Sequence, residues 1–178
     1  MGDNAMISKT MRRLTPAALL AALATTAATP AYAVPVFPIN LPPGEGCSFA
    51  LRIDGVGGKL HTKEFKDRRG NLVRVLTAGK GVDLTYTNYG FDADDPVAGK
   101  SVTIKTAGSV ENRVINPDGS STVTLTGHNG LVLFPTDVPA GPSTTQYTGR
   151  VVFTIDENFV FTLISTAGPA LDICAKLS

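Results

Sequence analysis

The chain has 178 residues, 43% of them hydrophobic, with 16 Lys and Arg against 15 Asp and Glu, two cysteines, two histidines and no tryptophan. A formal net charge of +1 argues against a nucleic-acid binder, which carries a clustered basic face to neutralise phosphates, and against a polybasic protein held on anionic lipid. No apolar run approaches the roughly 20 residues that a membrane-spanning helix needs.

Residues 1–33 read as an export signal. Lys9, Arg12 and Arg13 form a positive start, an apolar stretch runs from Ala17 to Ala28, and Ala31-Tyr32-Ala33 supplies the small residues of a cleavage site. Cleavage after Ala33 leaves about 145 residues with 13 Lys and Arg against 14 Asp and Glu, the size of one domain able to bury a core. Residues 34–46 hold Pro35, Pro38, Pro42 and Pro43 without periodicity and read as a proline-rich arm or linker. Residues 47–178 then form a single β domain.

From Cys47 the chain alternates with a period of two, which places one face of a strand on a core. Cys47, Phe49, Leu51 and Ile53 share one phase; Gly57 to Lys66 follows with almost no apolar face, as an edge strand protected by its charges. The cluster Lys63, Lys66, Arg68 and Arg69 is interleaved with Glu64 and Asp67 beside Gly70-Asn71 and reads as a solvated hairpin end. Val82, Leu84 and Tyr86 form the next phase, followed by Val102 with Ile104, Val123 with Leu125, and Val151, Phe153 and Ile155. Asn116-Pro117-Asp118-Gly119, Asn129-Gly130 and Asp156-Glu157-Asn158 are turn sequences between strands. Phe159 to Ile164 is apolar on both phases, and Leu171, Ile173, Ala175 and Leu177 put Cys174 on the opposite face if the end of the chain is a strand. The expectation is an all-β fold, an antiparallel β-sandwich or small barrel of about eight to ten strands.

Cys47 and Cys174 bracket this domain, and two thiols in one exported domain are expected to pair. Candidate chemistry is sparse. A serine triad would require His61 or His128 beside a serine and a carboxylate, Ser109 lies in Ala-Gly-Ser-Val-Glu rather than a nucleophile elbow, and no catalytic residue is assigned. His128 is placed at a turn by Asn129-Gly130. Asp92, Asp94 and Asp95 offer hard oxygen ligands of the kind calcium takes, although Thr103 stands where a twelfth-position glutamate would be. Tyr89 and Phe91 are the candidate ligand-binding aromatics, while Tyr86 falls in the inward phase. No cofactor beyond that calcium is expected.

The signal with its Ala-Tyr-Ala ending, the Val-Pro-rich arm and the threonine-rich β domain bracketed by Cys47 and Cys174 together resemble the small secreted single-domain proteins of high-GC Gram-positive bacteria. The resemblance is compositional, covers the full length and carries over no functional residue. The functional expectation is a secreted, non-catalytic β-domain that binds an extracellular surface, glycan or protein partner, or serves as a structural envelope component. The alternative is a secreted hydrolase or small-ligand carrier with a pocket in the β scaffold lined by apolar phases and one histidine.

Overall fold

Threonine and valine are abundant in the regular segments, and β-branched side chains fit a pleated, half-buried surface better than a helix. The computed structural model of the protein describes residues 38–91 and 97–178. The expected signal peptide, the first residues of the proline-rich segment, and Asp92, Asp94 and Asp95 lie outside the described residues. Among the described residues eleven strands and one short helix run in chain order: β1 (Ile39–Leu41), β2 (Leu51–Val56), β3 (Lys59–Lys66), β4 (Leu72–Lys80), β5 (Asp83–Asn88), β6 (Ser101–Lys105), β7 (Val110–Ile115), β8 (Ser121–Leu133), β9 (Ser143–Ile155), β10 (Phe161–Ala167), β11 (Ala170–Asp172) and α1 (Ile173–Leu177). The four-stranded sheet has the order β1-β2-β5-β6; the seven-stranded sheet has the order β10-β9-β8-β7-β4-β3, with β11 also paired to β9. The strands pair antiparallel throughout, and the two sheets pack as a β-sandwich rather than a closed barrel. The strand count exceeds eight to ten because β1 and β11, three residues each, add to nine longer strands. Among the described residues no helix is long and apolar enough to cross a membrane.

The alternation that begins at Cys47 holds in the fold. Cys47, Phe49, Leu51 and Ile53 are all buried, and with Leu41, Tyr86, Ile173 and Leu177 they form the first core cluster. Fully burying a side chain of this size contributes roughly 1.5–3 kcal/mol. Leu41 brings the described part of the proline-rich segment into this core, since β1 pairs along β2. The last segment is not a strand of one phase. It is β11 followed by α1, where the i, i+4 spacing of the helix turns Ile173 and Leu177 to the same side and the Asp172 carboxylate caps the Ala175 N–H at 3.0 Å. Cys174 is thereby directed to Cys47, with which it forms a disulfide whose Cα atoms are 5.5 Å apart.

A second cluster, with Val123, Leu125, Leu131, Leu133, Val151, Phe153 and Phe161, belongs to the seven-stranded sheet alone. Its existence depends on a bend. Asn129-Gly130 is not a hairpin turn; β8 runs through it, with Asn129 opposite Tyr147 and Gly130 opposite Gln146. Three residues earlier, Gly127 faces Gly149 on β9, and these two have φ of +85° and +136°, a region that costs a residue with a Cβ about 1–2 kcal/mol. Close approach adds to the requirement: a Cβ on Gly149 would lie 2.1 Å from the Ala167 carbonyl oxygen, and one on Gly127 would lie 2.2 Å from that of Gly108. Gly79 on β4 and Gly168 after β10 extend the same line across the sheet, also at positive φ. Glycine kinks of this kind curve a sheet, and here they fold the long β8–β9 ribbon back on itself.

The ribbon's tip returns to β10. The Val138 N–H donates to the Phe161 carbonyl at 2.8 Å and the Leu163 N–H to the Val138 carbonyl at 2.7 Å, giving a short parallel bridge from Val138 to Thr162. Asp137, 4% exposed, holds the junction: its two carboxylate oxygens accept from the Phe134 N–H at 2.6 Å and the Phe161 N–H at 2.9 Å. The remaining turns follow their sequences. Asn116 to Ser120 closes β7 to β8 with Gly119 at positive φ, and Asp156 accepts from the N–H groups of Asn158 and Val160 before β10.

Asp137→Ala should lower stability by about 2–4 kcal/mol, since two buried backbone donors lose a charged acceptor at once. Urea unfolding measures this, with an unchanged m-value expected. Cys47→Ser opens a loop with a sequence separation of 127 residues, for which chain entropy allows up to about 5 kcal/mol. A calorimetric Tm lower by about 5–15 °C is expected in a domain of this size.

Candidate functional site

The bend opens a cleft. Gly127, Gly149 and Gly168 are followed or preceded by His128, Thr148 and Pro169, and these three residues line an open cavity of about 430 Å³. Thr103, Ile104 and Lys105 of β6 form the opposite wall, while Ala170 and Leu171 of β11 and Gln146 of β9 complete it. The cleft therefore lies between the edge of the four-stranded sheet and the bent part of the other.

Gln146 is its least ordinary residue. At 4% exposure it is buried, and its Oε1 accepts a 2.9 Å hydrogen bond from the Tyr86 hydroxyl, which reaches across from β5. Its Nε2 has no partner, the one buried side-chain nitrogen or oxygen in that state among the described residues. An unmade buried hydrogen bond costs on the order of 1–3 kcal/mol, and Gln146 is also one of the residues that line the cleft. Gly130 leaves room for this pair, since a Cβ there would stand 2.5 Å from the Tyr86 hydroxyl. Burial pushes the Tyr86 phenol well above its usual range, so the hydroxyl stays protonated and remains a donor to Gln146.

His128 is fixed by its backbone neighbours. Its Nδ1 lies 3.1 Å from the Ala107 carbonyl oxygen, which can only accept, so Nδ1 carries a proton and donates it there. Ser109, the adjacent hydroxyl, donates to the carbonyl oxygens of Thr106 and His128 rather than to the imidazole. Lys105 and Thr148 add polar residues to the lining, and Ile104, Pro169, Ala170 and Leu171 add apolar ones. The cleft thus combines apolar surface with polar side chains.

The residues singled out from sequence are distributed differently. His128 lines the cleft but sits within β8 instead of at a turn, because Gly127 bends the strand without ending it. His61 is exposed on β3. Tyr89 and Phe91 do not line the cleft; Phe91 is 73% exposed and meets the buried Phe49 edge-on at a centroid distance of 6.5 Å. Asp92, Asp94 and Asp95 lie outside the described residues. Tyr86 is core, as its phase implied, yet it also orients Gln146. Gln146 escaped sequence reading because one glutamine in a threonine-rich strand carries no pattern. The available signal was glycine flanked by strand residues, at Thr126-Gly127-His128 and Thr148-Gly149-Arg150, where a bend was in place of a turn.

Comparison with protein-family models, with curated proteins and with solved structures finds no match.

Tyr86→Phe should destabilise the protein by about 1–2 kcal/mol, because it leaves a buried Gln146 Oε1 without its donor. Adding Gln146→Leu should restore most of that loss, since the substitution removes both the orphaned acceptor and the unpartnered nitrogen. Urea unfolding of the two single variants and the double variant measures the coupling.

Proposed function

We propose that the chain is an exported, non-catalytic β-sandwich domain that works outside the cytoplasm as a binding module, and that the cleft at the bend is where it takes a small organic ligand. The observation that carries this reading is the unpartnered, buried Nε2 of Gln146 in a cavity with a fixed histidine and an apolar wall. Convergent polar groups on a mostly apolar cleft are the usual form of a small-molecule site. The Lys105 ammonium and the Gln146 amide favour an acceptor-bearing ligand, a carboxylate or carbonyl compound. Export is supported by the positive start, the short apolar stretch and the Ala-Tyr-Ala ending of residues 1–33. The Cys47–Cys174 disulfide is compatible with an oxidising compartment.

The reading of a binding module rather than a hydrolase rests on where the hydroxyl goes. A histidine acting as base takes a proton from a hydroxyl bonded to its ring, whereas Ser109 is bonded to main-chain carbonyls.

Protein purified from culture medium and measured by native mass spectrometry should begin at Val34 and retain a non-covalent organic mass, or regain one when incubated with a panel of small carboxylates. The Gln146→Leu and His128→Ala variants should lose that mass while keeping the wild-type Tm to within a few degrees. A bound mass unaffected by both substitutions would place the ligand elsewhere.

A further inference from the structure

The near-neutral charge of the chain averages two opposite regions. Residues 59–80 hold seven Lys and Arg with only Glu64 and Asp67 against them, while residues 34–58 and 81–178 together hold six Lys and Arg against twelve Asp and Glu. The basic segment is one hairpin, β3 and β4, and β3 is the free edge of the seven-stranded sheet.

Register sorts its charges by face. Lys59, His61, Lys63 and Phe65 share one side of β3, and the β4 residues directly opposite them are Lys80, Ala78, Leu76 and Arg74. Glu64 points to the other side, where it lies opposite Val75, and Asp67 is occupied by the turn, accepting from Arg69 and Asn71. Those turn hydrogen bonds, that of the Asn71 side chain first, hold the Asp67 carboxyl below the usual carboxylate range. The side shared by Lys59 and Lys63 therefore presents cations without a carboxylate among them on these two strands. Alternate residues along a strand are about 6.6–6.8 Å apart, so Lys59, His61 and Lys63 form a line of nitrogen-bearing side chains, flanked across the ladder by Lys80 and Arg74. The same face continues inward through Asn112, Thr122 and Thr124, and Asn112 accepts from the Arg74 Nε at 2.5 Å. The opposite side of these rows carries Val123, Leu125, Val151 and Phe153 of the second core, so the basic side faces out.

We infer that this face of the β3–β4 hairpin is a docking surface for a linear acidic polysaccharide that bears carboxylates along its length. Charge complementarity supplies the attraction and the extended line of cations supplies the shape. Phe65 separates this occupant from a single-stranded nucleic acid. Binding of bases without sequence preference uses exposed aromatic faces as stacking platforms, but the Phe65 ring already has the Lys63 Nζ 5.0 Å and the Arg74 guanidinium 5.1 Å from its centroid. The ring serves to hold two cations in place. The hydroxyl and amide side chains beside them match the hydroxyls of a sugar polymer. This inference stands independently of the cleft, which is built from other strands.

The test titrates the protein purified from culture medium with alginate oligomers, a polyuronate, at about 50 mM salt, where exposed charges are weakly screened. Saturable binding that weakens as salt rises is expected. The double variant Lys63→Gln with Arg74→Gln should lose affinity by about tenfold or more, and Lys59→Gln with Lys80→Gln should also weaken it. Lys100→Gln with Lys176→Gln, the same change in net charge away from the hairpin, should stay within about twofold of wild type; all positions are exposed, so Tm serves as the folding control. No binding at low salt, or an equal loss in the control pair, would overturn the proposal. Equal affinity for single-stranded oligothymidine would overturn the assignment to a polysaccharide.

Discussion

The paired glycines Gly127 and Gly149 set the geometry on which the other features depend. β8 and β9 are 13 residues each, well beyond the five or six typical of a strand, and a straight ribbon of that length would project out of the sandwich. Bending at the glycine line places the far half of the ribbon against the four-stranded sheet, where Thr144 donates to the Gly46 carbonyl at 2.8 Å and Gln146 meets Tyr86. The same bend carries the ribbon's tip to β10, where Asp137 closes the junction. One conformational freedom, positive φ without a Cβ, thus produces the sheet-to-sheet interface, the second core and the cleft.

Much of the architecture was legible because burial on one face leaves a period of two. Cys47 to Ile53, Val82 to Tyr86 and Val151 to Ile155 carry that period, and each contributes to a strand or the core as expected. The exposed edge strand was equally legible, since Lys59 to Lys66 has no apolar face to bury. Sequence reasoning failed where a local preference was overridden by tertiary packing. Asn129-Gly130 has the chemistry of a tight turn, but Gly130 is used for the close approach of Tyr86, and pairing with β9 continues through both residues. The C-terminal alternation of Leu171 to Leu177 failed for another reason. Ile173 and Leu177 satisfy both the strand period and the helix spacing i, i+4, and the choice was made by the Asp172 cap and the disulfide.

The candidate site was less legible than the fold because it joins residues that no motif unites. Gln146, His128, Lys105 and Leu171 come from four strands or their ends, and only register and curvature bring them to one cavity. The Tyr86 hydroxyl illustrates the limit: its inward phase showed that it was buried, but not that its polar end would need a partner. That partner, Gln146, then leaves its own Nε2 without a hydrogen-bond partner, at a position that also lines the cleft.

The position of the glycine line also separates the two proposed binding surfaces. The cleft uses the residues adjoining the kinks of β8, β9 and β11 together with β6, whereas the basic face uses β3 and β4 at the free edge of the same sheet. Between them lie β7 and the first half of β8, with Asn112, Thr122 and Thr124 on the outward side and the second core on the other. A large polymer lying along the edge strand need not cover an opening between the two sheets. The segregation of charge in the sequence acts in the same direction: residues 59–80 carry the excess of cations and the rest of residues 34–178 the excess of carboxylates, so a polyanion would be drawn first to the hairpin.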